Sequence, residues 1–146
     1  PNIATALSGS GDVVEIGNVS DYVEDYQVTT VFTSKANVEA RRDLVERFLA
    51  AFSRGIDVYN AALVDRTLSE EELAKVIDII HTYVYTDRPR ERAEGAIKAF
   101  GMRINPDAKL NMASVRDQLD WFRSEGLVPE GVTMELLVDS SFVETF

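Results

Sequence analysis

The sequence predicts an α/β chain that is mostly helical with a few strands, and three observations carry that expectation. Residues 26–33, Tyr-Gln-Val-Thr-Thr-Val-Phe-Thr, are rich in β-branched and aromatic side chains and nearly continuous in apolar character, as a buried strand requires. Beyond them Leu44, Val45, Phe48, Leu49, Phe52, Ile56, Tyr59 and Leu63 recur at three- and four-residue spacing, which lines one helical face. Shorter stripes with capping residues at their starts then continue to the C-terminus.

Taken in order, Pro1 to Leu7 reads as a short helix with proline in its first turn, stopped by Ser8-Gly9-Ser10-Gly11. Val13-Val14-Glu15-Ile16 is long enough for one short strand, and residues 26–33 form the best strand in the sequence. The longest helix is expected from Ala36 to Val64. Ser69 with Glu72 makes a capping box ahead of Leu73, Val76, Ile77, Ile80 and Val84. Pro89 suits the first turn of a third helix, with Ala93, Ala96, Ile97 and Phe100 on one side and Gly101 as its left-handed end. Asn105-Pro106-Asp107 marks a turn. Asn111 caps a helix carrying Val115, Leu119 and Phe122, with Trp121 beside them and Gly126 as its stop. Thr133 caps a final turn, Met134 to Val138. Trp121 and Phe122 continue a stripe and are expected in the core.

Composition narrows function. The 146 residues carry a net charge of −10, with 45% hydrophobic and 27% charged side chains, so the chain can bury a core. An acidic chain offers no basic stripe to phosphates or anionic lipid, which argues against nucleic acid and the membrane surface as partners. No apolar run approaches the roughly 20 residues of a span, and the first residues do not read as a signal peptide. The absence of cysteine removes disulfides, thiolate catalysis and cysteine-held metal or iron–sulfur sites.

No catalytic set can be assembled. Gly9-Ser10-Gly11 lacks the third glycine, the Lys and the following helix of a phosphate loop, and reads as a helix-ending turn. His81 is the single histidine and lies at the edge of an apolar stripe, where a partly buried structural role is expected. Glu70-Glu71-Glu72 sits in a first helical turn that favours negative charge. Asp21, Glu24 and Asp25 form an acidic loop without calcium-loop spacing. Tyr22 and Tyr26 bracket that loop, where rings line a cleft or pack locally. Two strands cannot make a stable sheet by themselves, so the strongest one is expected to belong to a sheet whose other members this chain does not supply.

The order of segments is then informative. Residues 25–35, Asp-Tyr-Gln-Val-Thr-Thr-Val-Phe-Thr-Ser-Lys, followed by residues 43–52, Asp-Leu-Val-Glu-Arg-Phe-Leu-Ala-Ala-Phe, resemble the part of periplasmic ABC-transporter substrate-binding proteins of the thiamine-precursor/nitrate/sulfonate type where a strand re-enters the first lobe and a long helix follows. Gln118-Leu119-Asp120-Trp121-Phe122, Glu125-Gly126-Leu127-Val128 and residues 137–142 resemble that family's C-terminal end. The likeness runs over nearly the whole chain. It implies type II periplasmic-binding-protein-like lobe material, with residues 1–25 ending the second lobe and crossing over, and residues 26–146 returning to the first lobe. Pro1 would match the proline of an acidic-residue–Pro motif, with Asn2 standing where the family often has an aromatic residue.

The resemblance implies solute binding without chemistry, no cofactor or metal, a periplasmic or extracytoplasmic location, and an ABC permease as protein partner. It places ligand contacts at Asn2, Tyr22, Asp25, Tyr26 and Gln27. It also implies a missing N-terminal half, so the chain is expected to expose apolar surface along residues 28–32 and on the long helix, which that half or a second copy would cover. Two other readings stay open. Pyrimidine-precursor synthases of thiamine biosynthesis are similar in fold but carry a cysteine-rich motif, and a helical protein-interaction module needs only an exposed apolar face.

Overall fold

In a computed structural model, residues 10–14, 16–17, 19–99 and 101–146 are described, and they are mostly helical. After a 3₁₀ turn at Val19–Asp21 come α1 (Lys35–Ala40), α2 (Arg42–Tyr59), a π-helical turn (Asn60–Val64), α3 (Glu70–Tyr83), α4 (Arg90–Ala99), a 3₁₀ turn (Pro106–Ala108), α5 (Met112–Ser124) and α6 (Met134–Leu137). The chain divides into two compact units, one built on Gly55–Ile104 and one on Asn18–Arg54 with Asn105–Phe146.

The Gly55–Ile104 unit has the apolar core. Ala62, Leu63, Ile77, Ala93 and Ile97 are buried together, with Tyr59, Leu68, Leu73, Val76, Ile80 and Tyr85 packed around them. The capping box opens α3 as expected: the Ser69 hydroxyl accepts the Glu72 N–H, and the Ser69 N–H donates to the Glu72 carboxylate at 2.9 Å. That hydroxyl first, and the backbone N–H second, hold the Glu72 carboxyl below its ordinary value. Pro89 precedes α4, its carbonyl accepting from Arg92 and Ala93. Asn60 is only 5% exposed, yet its amide is satisfied twice by one residue, donating to the Ile104 carbonyl at 2.8 Å and accepting the Ile104 N–H at 3.1 Å. Gly101 is not left-handed, contrary to the sequence expectation. It is required because an added Cβ would lie 2.8 Å from the Leu63 Cβ.

In the second unit, Ser34 caps α1 by accepting the Asn37 N–H. The expected single helix from Ala36 to Val64 is broken at Arg41, whose N–H ends α1 on the Asn37 carbonyl while its own carbonyl starts α2 by accepting from Leu44 and Val45. Arg42 then ties α2 to the tail. Its guanidinium donates to the Ser141 hydroxyl and to Glu46, and lies 4.1 Å from the centre of the Phe142 ring. Asn111 caps α5 through the Ser114 N–H, and α5 ends on a Schellman pair, Leu127 N–H to Phe122 and Gly126 N–H to Arg123, with Gly126 left-handed at φ 66°. Thr133 precedes α6, but its hydroxyl does not cap it.

Two expectations are corrected. The first is the set of strands: among the described residues the β pairing is an isolated parallel bridge between Leu110 and Thr145. Residues 26–33 run without helix, turn or bend, but they are mostly exposed. A strand needs a neighbouring row of peptide groups, and what meets this segment is side chains of α5, which satisfy Gln27 alone of its backbone. Val13, Val14 and Ile16 are likewise exposed. The second is the core placement of Trp121 and Phe122, which are 54% and 38% exposed. The buried side of α5 is set by Asn111 and Leu119, leaving these two rings at its edge, edge-to-face with each other. Along the long stripe Leu44 and Phe48 are exposed, Val45, Leu49 and Phe52 are half-buried and Ile56 is buried. The expected opening helix and Asn2 lie outside the described residues, as does Phe100. Among the described residues no helix is long and apolar enough to cross a membrane.

Candidate functional site

Four of the five sequence-predicted contact residues are described, and the structure gives them unequal roles. Tyr22 follows the Val19–Asp21 turn with its N–H on the Val19 carbonyl, and its side chain is 73% exposed. Asp25 takes a left-handed conformation, φ 49°, which turns the chain into residues 26–33. Its carbonyl accepts from the Asn111 side chain at 2.8 Å. Tyr26 is 40% exposed. Gln27 is half-buried and is the hub.

The Gln27 side-chain oxygen accepts the Asn111 N–H at 3.0 Å and the Asn105 amide at 3.3 Å, while its amide nitrogen donates to the Thr29 carbonyl at 2.7 Å. Its backbone is held as firmly: the N–H donates to the Ser114 hydroxyl at 2.9 Å and the carbonyl accepts from Gln118 at 3.0 Å. Five uncharged polar side chains, Gln27, Asn105, Asn111, Ser114 and Gln118, therefore converge at the N-terminal turns of α5. Sequence reasoning found Gln27 and read Asn111 as a cap, but it missed Asn105 and Ser114 as partners. Polar residues at positions 111, 114 and 118 share one side of a helix, and that spacing was the available signal.

The cluster is built of amides and a hydroxyl, and most of its donors and acceptors are committed to one another. It orients the backbone that carries Tyr22, Asp25 and Tyr26. His81 is elsewhere, with its Nε2 3.0 Å from the Arg88 carbonyl, a contact that requires the proton on Nε2. Among the described residues no group of three or more His, Asp or Glu is placed to hold a metal ion. A shallow, open depression lies along Ser140, Ser141, Phe142, Val143, Glu144 and Thr145, a single stretch of tail, so it is one-sided. Beside it the Ser141 hydroxyl and N–H hold the Asp139 carboxyl below its ordinary value.

Comparison with protein-family models, with curated proteins and with solved structures returns no match. The loop around Gln27 stands on its own chemistry: exposed phenol rings and carboxylates mounted on a rigid amide anchor. That arrangement presents polar and aromatic side chains to solvent on a backbone fixed from below.

Proposed function

We propose that this chain is the C-terminal portion of a periplasmic ABC-transporter substrate-binding protein of the thiamine-precursor/nitrate/sulfonate type. Its task is to grip a small organic or anionic solute between two lobes and present it to a permease, without chemistry. The observation that carries the reading is the match between resemblance and exposure. The segments that resemble the family bear Val28, Val31, Phe32, Leu44, Phe48 and Trp121, all exposed large apolar side chains, as expected of lobe material whose covering sheet comes from elsewhere. In the complete protein Tyr22, Asp25 and Tyr26 would face the cleft, with Gln27 fixing the backbone beneath them.

The gene provides the test. The reading frame is expected to continue upstream of the Pro1 codon for about the length of this chain. The whole product should then bind a solute saturably in calorimetry against nitrate, an alkanesulfonate and an aminopyrimidine, while the 146-residue chain binds none of them. A frame that starts at this chain, or micromolar binding by the chain alone, overturns the reading. A second reading, a helical protein-interaction module, is favoured by Ile79 and Tyr83 of α3, which are 63% and 82% exposed.

A further inference from the structure

The tail, residues 139–146, lies on its own unit in the manner of a bound peptide. The Leu110 N–H donates to the Glu144 carbonyl at 3.2 Å, the Phe146 N–H to the Leu110 carbonyl at 3.1 Å, and the Met112 N–H to the Phe146 carbonyl at 2.9 Å. That is the slanted pattern of a parallel pair, centred on the bridge between Leu110 and Thr145. Met112 opens α5, so its N–H has no acceptor inside the helix, and the tail supplies one. Ahead of this short strand the tail bends at Phe142 and Val143. Two cations meet the side chains there: Lys109 Nζ lies 2.7 Å from the Glu144 carboxylate, and the Arg42 guanidinium donates to the Ser141 hydroxyl at 3.1 Å and sits 4.1 Å from the centre of the Phe142 ring. No residue from 135 to 146 is buried, and the Glu144 side chain is 77% exposed. A segment held by hydrogen bonds and exposed charges, with little apolar area, opens at small cost.

We infer that Arg42 and residues 109–112 form a docking site for a Ser-Phe-x-Glu bend running into a short parallel strand, and that the chain's own tail fills it as a detachable strap. Backbone bonds to an added strand give affinity with little regard to sequence, so selectivity falls to the side chains beside it. Here those side chains divide the work by their chemistry. The flat Arg42 guanidinium suits an aromatic face, and the compact Lys109 ammonium suits a carboxylate. The spacing from Phe142 to Glu144 across the bend matches the positions of the two cations, so a segment lacking either residue, or carrying Lys in place of Glu, forfeits a contact. A segment of another molecule with the same pattern must first displace the strap. Its apparent affinity is therefore reduced by the fraction of chains in which the strap is open.

This inference does not rest on the solute-binding reading. Hydrogen exchange on the full chain tests it, because the Leu110 and Met112 amides are bonded to the tail itself. Phe142→Ala combined with Glu144→Lys should speed the exchange of both amides several-fold. The Gln27 amide, held by the Ser114 hydroxyl, and the Leu127 amide, held by the Phe122 carbonyl, should keep their parent rates. Adding an excess of a synthetic peptide of residues 139–146 to that double variant should restore protection of Leu110 and Met112 saturably, whereas the same peptide with Lys in place of Glu144 should not. In Lys109→Glu the preference should invert, with the Lys-bearing peptide protecting and the native one failing. Parent rates at Leu110 and Met112 in the double variant overturn the inference. So does faster exchange at Gln27 and Leu127 together with them, which would make the tail part of the unit's fold, and so does equal protection, or none, from the two peptides.

Discussion

Replacing Gln27 by alanine tests whether this residue is an anchor or a free ligand contact. The substitution removes the acceptor of the Asn111 N–H, in a residue that is 8% exposed, and leaves that donor unpaired. An unsatisfied buried donor costs about 1–3 kcal/mol. The Asn105 amide loses its 3.3 Å bond but keeps the one to the Lys109 carbonyl, so it adds little. The bonds from the Gln27 backbone to Ser114 and Gln118 survive, and the freed side-chain entropy offsets part of the loss. The expected net destabilisation is about 2 kcal/mol, or about 4–8 °C in the melting temperature of a chain this long. Gln27→Glu should be milder, because a carboxylate still accepts from Asn111 and adds negative charge at the start of α5. Hydrogen exchange locates the effect: in Gln27→Ala the Asn111 amide should exchange faster, while the Ser114 amide, held by the Asn111 side chain, should not. If Gln27→Ala melts with the parent and the Asn111 amide stays protected, the anchor argument fails and Gln27 is available to a ligand.

Gly101→Ala should destabilise the Gly55–Ile104 unit by about 1–3 kcal/mol, since its Cβ would overlap the Leu63 Cβ, and Leu63→Ala should not rescue it because that atom remains; calorimetric melting of both variants decides. Glu72 is lowered in the folded chain, so its contribution is fully present above its ordinary value of 4.5 and is lost as pH falls through the depressed one. The stability gap between the parent and Glu72→Gln, followed by urea titration, should therefore be constant near neutrality and close on acidification. A gap that widens toward acid contradicts the capping box.

Helices were legible because their signals are local. Ser69 and Glu72 meet within one turn, Asn111 caps through Ser114 three residues on, and Gly126 takes the left-handed end that its position announces. Residues 26–33 have strand chemistry, but a strand is completed by another chain segment, and composition cannot supply one. The same limit hid the role of Gly101, because the constraint comes from Leu63, far away in sequence. Trp121 and Phe122 fit a 3.6-residue stripe, but the burial of α5 is decided by what packs on it, and that favours Leu119. Of the candidate site, the loop from Tyr22 to Gln27 was readable as a place. The amide hub beneath it was not, because Gln27 is separated from its partners by 78 to 91 residues.

The pair of hydrogen bonds between Asn60 and Ile104 joins positions 44 residues apart, close to where the Gly55–Ile104 unit begins and ends. A segment whose entry and exit are clasped together can be cut and resealed without disturbing what lies between. Joining its two ends by a short linker and opening it at the exposed turn around Asp87 gives a circular permutant that keeps the clasp and the Ile77 core. The permuted chain stays linear, but its linker holds together the two ends that the clasp joins, so the stability lost on Asn60→Ala should be smaller in the permutant than in the unpermuted unit, and the difference measures the clasp's own part in closing the segment.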